Sequence, residues 1–230
     1  MEYTVSAENN KIKQNSSTPF RQAVIRHGGA MLEGFYPATT MPDPDWWQTL
    51  WPDPEGVIRK VGVVSGMVVV DLCCGYGLFT APLAWIAQNR VYAIDIDPEI
   101  LNRAAAAVEV AEAPGGRFIQ GDATDLARLV PEPVDFVFLA STFHGVPDKI
   151  GLACAVATLL KPGGRFVVVN WRPLPREQTT VLGQPRGPKS EMRMAPSDVA
   201  AVVELAGLRP AEVVDLPPYH YGAVFMKPTE

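Results

Sequence analysis

Cysteine is scarce in this chain: three of 230 residues, at positions 73, 74 and 154. An odd number without regular spacing is no disulfide framework, and small buried thiols in a reducing compartment are expected. Adjacent cysteines at a strand end do not readily face one metal ion, so no metal site is expected. Long apolar runs are missing too; none reaches the roughly 18 residues of a membrane helix. The first 20 residues, MEYTVSAENNKIKQNSSTPF, hold no apolar core of a signal peptide, and a cytoplasmic location is the expectation. Basic charge is in deficit: 20 Lys and Arg against 25 Asp and Glu leave a net charge of −5. Nonspecific nucleic-acid binding needs a dominant basic face, so nucleic acid is not an expected partner, although a local basic patch stays open. Histidine is limited to His27, His144 and His220, which keeps the choice of a catalytic base short.

What is present is enough apolar residue, 47% of the chain, for one substantial core with room for an appended lid. Residues 1–20 read as loosely attached, and Phe20 to Tyr36 as a short helical piece interrupted by glycines. The segment PATTMPDPDWWQTLWPDPEG then gathers Trp46, Trp47 and Trp51 among prolines, which suggests an ordered, packed segment. Asp53-Pro54 has the form of a helix start. We expect residues 1–55 to form a tail and helical cap, and residues 56–230 the main domain.

After Gly66 the pattern alternates. Strands are predicted at Met67–Leu72, Val91–Asp95, Arg117–Gln120, Val134–Leu139 and Arg165–Asn170. Helices are predicted between them at Leu78–Gln88, Pro98–Glu112, Thr124–Val130 and Pro147–Leu160. Strands this rich in Val, Ile and Phe are buried on both faces, as in a parallel sheet. Alternating β and α units imply a doubly wound α/β fold. Lys161-Pro162-Gly163-Gly164 reads as a sharp turn from helix to strand. A helix at Pro196–Leu205 precedes strands at Arg209–Leu216 and Tyr219–Lys227, joined by Pro217-Pro218 as an antiparallel pair.

The chemistry concentrates at VVVDLCCGYGLFT, residues 68–80. An apolar strand ends at Asp71, and Gly75 and Gly77 lead into a helix, an arrangement that offers backbone N–H groups to a nucleotide-type ligand. The dinucleotide fingerprint G-x-G-x-x-G is incomplete, with Thr80 where the third glycine would stand, and no Gly-Lys-Ser/Thr follows for a phosphate loop. In the next strand, VYAIDIDPEIL, Asp95 lies 24 residues after Asp71, where a carboxylate can accept both hydroxyls of a ribose. Asp97-Pro98 reads instead as a helix cap. The third strand leads into FIQGDATDL, whose Asp122 is either a partner for an adenine amino group or a turn-capping residue.

Together VDLCCGYG, VYAIDIDPEIL, FIQGDATDL, VDFVFLASTFHGVPD and LKPGGRFVVVNW resemble the class I S-adenosylmethionine-dependent methyltransferases, over roughly Gly56 to Lys227. The resemblance implies a Rossmann-like, mostly parallel seven-stranded sheet with an antiparallel last strand. It implies S-adenosyl-L-methionine as cofactor and S-adenosyl-L-homocysteine as product. The donor's amino-acid moiety falls near Asp71, Cys73, Gly75 and Gly77, its ribose at Asp95, and its adenine near Asp122 and Ala123. Ile96 is the implied hydrophobic neighbour, and Ala140 the implied contact at the fourth strand. Where the family's first motif most often carries glycine or another small residue, this chain has Cys73-Cys74, still small enough for donor binding.

Methyl transfer is an in-line displacement that needs alignment and, for a hydroxyl or ammonium acceptor, a general base. His144, after the fourth strand, is the leading candidate for base or substrate-orienting group, against a structural role in its loop. His27 could belong to a lid, and His220 to a packed strand. The segment Asn170–Met194 carries Arg172, Arg176, Arg186, Lys189 and Arg193 against Glu177 and Glu191. That excess hints at an acceptor bearing carboxylate or phosphate, against a solvated loop. Candidate acceptor contacts are His27, Trp47, Asn170, Arg172, Arg193 and Tyr221, with the tryptophans either walling the pocket or packing the cap. A small-molecule methyltransferase, monomeric or homodimeric, is expected. The alternatives are a methyltransferase acting on RNA or protein, and a donor-binding sensor without transferase activity.

Overall fold

The computed structural model describes residues 25–26, 42–88 and 90–229. The polar stretch 1–20 and His27 lie outside the described residues. Of the predicted helical piece Phe20–Tyr36, only Ile25–Arg26 is described, and it is a short strand, β1, rather than helix. The exposed edge of a sheet offers unpaired N–H and C=O groups, and β1 takes them up beside Ile119 and Gln120.

Two short helices follow, α1 (Pro44–Leu50) and α2 (Pro54–Lys60), and then β2 (Val69–Leu72) opens the alternating part. The order continues α3 (Thr80–Ala87), β3 (Val91–Asp95), α4 (Pro98–Val110), β4 (Arg117–Gln120), α5 (Leu126–Leu129), β5 (Val134–Ala140), α6 (Lys149–Leu159) and β6 (Leu160–Trp171). A two-strand ribbon, β7 (Thr180–Val181) and β8 (Gln184–Pro185), precedes α7 (Pro196–Val203), β9 (Arg209–Leu216) and β10 (His220–Met226). Helix starts follow local chemistry. Asp53, Asp97 and Asp148 each accept an N–H from the first turn they precede, and proline occupies the first turn of α1, α2, α4 and α7.

The sheet order is β1-β4-β3-β2-β5-β6-β10-β9. Seven of these strands make the predicted arrangement, and β1 extends it to eight at one edge. Only β10 runs against the others; it slots between β6 and β9, antiparallel to both. Chain direction across the sheet reverses at β2, between β3 and β5. A crevice opens outside the carboxyl ends of strands at such a switch point, and ligands bind there.

Side chains alternate between the two faces. Val70, Leu72, Val137, Leu139, Phe166 and Val168 face α5, α6 and α7, while Val69, Phe136, Phe138, Val167 and Val169 face α2 and α3. Trp46, Trp47, Leu50 and Trp51 join the second face, so the first two helices share a core with the sheet. Edge-to-face contacts run from Trp51 to Phe79 (5.3 Å between centroids) and on to Phe138 (5.1 Å). Apart from end shifts of a few residues, two stretches differ in kind from expectation. The predicted helix at Thr124–Val130 is a single 3-10 turn, Ala123–Asp125, capped by Asp122 and followed by one turn of α5. Lys161 to Gly164 is no separate turn but an irregular stretch within β6. There Leu160 pairs with Val134 and Arg165 with Phe136, and the extra residues bulge out with Gly163 at φ 76°.

Candidate active site

One side of the candidate site is built from turns at the ends of β2, β3 and β4. Past Leu72 the chain bends through Cys73 (φ 57°), Gly75 (φ 56°) and Gly77 (φ 81°). Gly77 is obligatory on steric grounds as well, because a Cβ there would stand 2.9 Å from the Ala104 Cα. Cys74 N–H donates to the Ile94 carbonyl at 3.0 Å, and Gly75 N–H to Asp95 Oδ2 at 3.0 Å. The other oxygen of Asp95 accepts from Asp97 N–H at 3.1 Å. One half-buried carboxylate thus ties the first turn to the second, and Gly121 N–H bonds the Asp95 carbonyl to bring in the third. Burial raises the Asp95 pKa, opposed by the N–H groups of Asp97 and Gly75.

Asp71 is 3% exposed and accepts the Thr80 hydroxyl at 2.5 Å. Burial pushes its pKa up to about 7, opposed by the Thr80 bond and reinforced by the Asp95 charge. Among the described residues no cation pairs with it. A buried carboxylate on a cavity wall without a counter-cation suits a ligand bearing an ammonium and a sulfonium, and the S-adenosylmethionine donor fits on that ground. Burial, with help from Asp71 and Asp95, drives the thiols of Cys73 and Cys74 up in pKa. No cluster of metal-ligating side chains exists among the described residues.

Beside this turn lies a cavity of about 730 Å³. Of the predicted site residues, Asp71, Cys73, Gly75, Ala140, His144 and Trp47 line it together. Gly77, Asp95, Ile96, Asp122 and Ala123 lie along the neighbouring row of turns and outside the lining. Asp122 accepts from Thr124 N–H (2.8 Å) and the Thr124 hydroxyl (2.7 Å), so its capping role is realised in the geometry.

The other side of the candidate site follows β5. Ser141 takes a left-handed φ of 56°, and its buried hydroxyl has no partner. Next comes a 3-10 turn, Phe143–Gly145, carrying His144, which is 7% exposed. Its Nδ1 lies 3.3 Å from Asn170 Oδ1. In the tautomer whose Nδ1–H donates to this oxygen, Nε2 keeps its lone pair. Burial lowers the His144 pKa; the Asn170 bond opposes this, and Lys149 and Arg193 add to it. The ring is therefore neutral at physiological pH. Asn170 itself is buried beneath the cavity wall, and the Tyr221 hydroxyl donates to the Met194 carbonyl at 2.8 Å, away from the lining.

Two arginines predicted to meet an acceptor are used otherwise. Arg172 pairs with Asp215 on β9 and is not part of the cavity lining. Arg193 is the hub of its loop: its guanidinium donates to the carbonyls of Leu174 (2.9 Å), Pro188 (3.2 Å) and Arg186 (3.1 Å) and to the Thr179 hydroxyl (2.9 Å). It also lies 5.1 Å from the centroid of Trp171. The cations that do reach the cavity are Arg176, Arg186 and Lys189. Trp171 and Ser141 are lining residues that the sequence reading did not single out. A signal existed for the first, since Trp171 directly follows Asn170 and alternation along a strand turns the two toward opposite faces.

Fold and site together define a doubly wound α/β protein with a glycine-containing turn at its switch point and an adjoining cavity. A family model described as "Methyltransferase domain" matches residues 70–168. The ubiquinone biosynthesis O-methyltransferase of Ralstonia nicotianae is 30% identical over 166 residues, covering 68% of this chain and 68% of that protein. The demethylmenaquinone methyltransferase of Lactococcus lactis is 27% identical over 115 residues, 49% of this chain and 45% of that protein. The chain thus spans about half to two thirds of the length of these curated relatives. Among solved structures, a SAM-dependent methyltransferase from Aquifex aeolicus superposes with a TM-score of 0.66 at 26% identity, covering 80% of this chain and 93% of that one. The chain belongs to the class I S-adenosylmethionine-dependent methyltransferases.

Proposed function

We propose that this protein transfers a methyl group from S-adenosylmethionine to a small molecule held in the cavity, releasing S-adenosylhomocysteine. The observation that carries the reading is the shared cavity: the uncompensated Asp71 on the donor side and the neutral His144 on the acceptor side line one space. Bound there, the donor supplies a methyl group on a positively charged sulfur, which leaves as a neutral thioether. Asp71 offers its carboxylate to the donor's ammonium, and Asp95, at the end of β3, to the ribose. Ile96, Asp122 and Ala123 flank the adenine, with Gly77 and Ala140 giving close backbone approach. On the acceptor side, Asn170 holds the His144 ring so that Nε2 takes the acceptor's proton while the acceptor's lone pair bonds the methyl carbon. Confinement of both reactants in one geometry accounts for up to roughly 7–11 kcal/mol in favourable model systems. Trp47, with Trp46, closes the space from α1, within the stretch read from the sequence as the cap. Tyr221 supports the acceptor loop through Met194.

The same reading places the protein in the cytoplasm as a monomer or homodimer without nucleic-acid or membrane partners. The three free cysteines support it, and no described helix is long and apolar enough to cross a membrane. Transfer of label from methyl-labelled donor to a small-molecule panel is the test. Binding of S-adenosylhomocysteine with no transfer to any acceptor would favour a sensor instead.

A further inference from the structure

The residue that breaks the dinucleotide fingerprint, Thr80, has a partner of its own. Alternation along β2 turns Asp71 to the same face as Val69, the face that α3 covers, and Thr80 opens α3. Thr80 is fully buried, and its hydroxyl donates to Asp71 Oδ2 at 2.5 Å. A glycine at position 80, as that fingerprint has, would supply no such donor. Asp71 Oδ1 has no hydrogen-bond partner among the described residues, and Asp71 lines the cavity.

The groups around this carboxylate oppose its charge rather than neutralise it. In the sheet Asp71 stands between Ala93 of β3 and Phe138 of β5, neither of them titratable. Asp95 at the end of β3 adds a second negative charge. On the turn that follows β2, Cys73 and Cys74 are thiols whose own ionisation both aspartates oppose. From α3 the Thr80 hydroxyl reaches it. Further round the cavity the charged or titratable side chains are Tyr76 of the same turn, Asp43 beside α1, His144 after β5, and Arg176, Arg186, Lys189 and Glu191 in the excursion after β6. Among the described residues no cation of that set pairs with Asp71. Burial favours the protonated acid and pushes its pKa up to about 7, whereas the Thr80 hydroxyl favours the carboxylate. An ammonium entering the cavity adds its weight to the second influence.

We propose that donor binding is coupled to loss of a proton from Asp71 to solvent, and that Thr80 is the positioning residue that brings this loss within reach of neutral pH. The proposal rests on the methyl-transfer reading above and adds a pH control to its cofactor site. In the empty protein below about pH 7 Asp71 carries its proton. When the donor's ammonium enters, the O–H bond of the acid breaks and the proton passes to the buffer. The carboxylate then accepts from the ammonium while Oδ2 keeps the Thr80 bond. Affinity for the donor therefore rises with pH until the empty site is already ionised, by about tenfold per pH unit well below that point.

The test is calorimetry with S-adenosylhomocysteine, which carries the same ammonium, in pairs of buffers of different ionisation enthalpy, so that released protons are counted directly. The unaltered protein is expected to release about one proton per ligand near pH 6 and almost none near pH 8, with affinity rising between them. Thr80→Val is expected to bind about tenfold more weakly near pH 6, with the deficit closing to about twofold near pH 8. Thr80→Ser, which keeps the hydroxyl, should retain the unaltered profile, and Asp71→Asn should release no proton at any pH. Should the valine variant fold poorly, Thr80→Ala carries the same prediction, and the proton count of the unaltered protein tests the coupling by itself. Absence of proton release from the unaltered protein, a loss in Thr80→Val that is equal at every pH, or an unchanged profile in that variant overturns the proposal while leaving the methyltransferase reading intact. Failure of the unaltered protein to bind S-adenosylhomocysteine at any pH would overturn that reading as well.

Discussion

The two walls of the cavity are built by different means. The wall at the glycine turn consists of short turns at the ends of parallel strands, where the sheet itself places Asp71 on the cavity and Asp95 beside it, outside the lining. The wall that follows β6 is a long excursion with one short ladder, β7–β8, tied together by Arg193 and its carbonyl partners. The first is position by topology, and the second position by one buried cation. A fold built this way can change its acceptor by redrawing one loop while its donor site stays put.

That difference can be broken experimentally. The largest effect is expected at the reaction itself: His144→Ala should lower kcat by about a hundredfold or more, the scale of a lost general base, with donor affinity retained. Intact turnover in that variant would mean the histidine only supports its loop. Next, Arg193→Ala should cost about 3 kcal/mol of stability, because several buried carbonyls lose their donor together. In thermal melts with and without ligand, acceptor binding should weaken while S-adenosylhomocysteine binding stays near normal. A parallel loss of both would show the walls to be one unit.

Asp71 supplies a pH signature on the donor side. Its pKa is near 7 folded against an ordinary 3.8, so the folded state binds the extra proton between those values. Stability of the ligand-free protein should therefore fall as pH rises from about 4 to about 7, by a few kcal/mol at most. Asp71→Asn should flatten that slope and raise the melting temperature at pH 8, while weakening the donor; an unchanged slope would remove Asp71 as its source. His144 works in the opposite sense: its lowered pKa makes the folded state lose stability as pH falls below about 6.5. Asp95→Ala should weaken donor binding about tenfold, near 1.4 kcal/mol, measured by calorimetry. The smallest change is expected for Cys73→Gly. Relief of a left-handed φ is worth on the order of 1 kcal/mol, offset by the flexibility of glycine, so donor affinity should stay within about twofold.

Legibility followed the same division. Strand and helix order could be read because buried parallel strands are continuous apolar runs, and because the cofactor turn depends on local chemistry, glycines and a carboxylate at set spacing. The pair Ile25–Arg26 could not be read as a strand, since two residues carry no periodicity and their pairing comes entirely from the β4 edge. Within NWRPLPREQTTVLGQPRGPKSEMRM the arginines are indistinguishable by composition. Arg193 is taken up because the loop aims carbonyls at it, and Arg186 is left with an unmet N–H because the same loop does not. Nor does Arg172 reveal its Asp215 partner, which is 43 residues away and comes alongside only through the sheet.

Four of the five tryptophans crowd this seam: Trp46, Trp47 and Trp51 from the first helix and its end, and Trp171 from β6. His220 is wedged between two of them, 4.4 Å from Trp51 and 4.3 Å from Trp171. The fifth, Trp85, is half exposed on α3 and lines no part of the cavity. Replacing it with phenylalanine would leave the protein's tryptophan emission, excited where tyrosine does not absorb, coming from the cavity wall and its packing alone, giving a built-in optical probe of ligand entry.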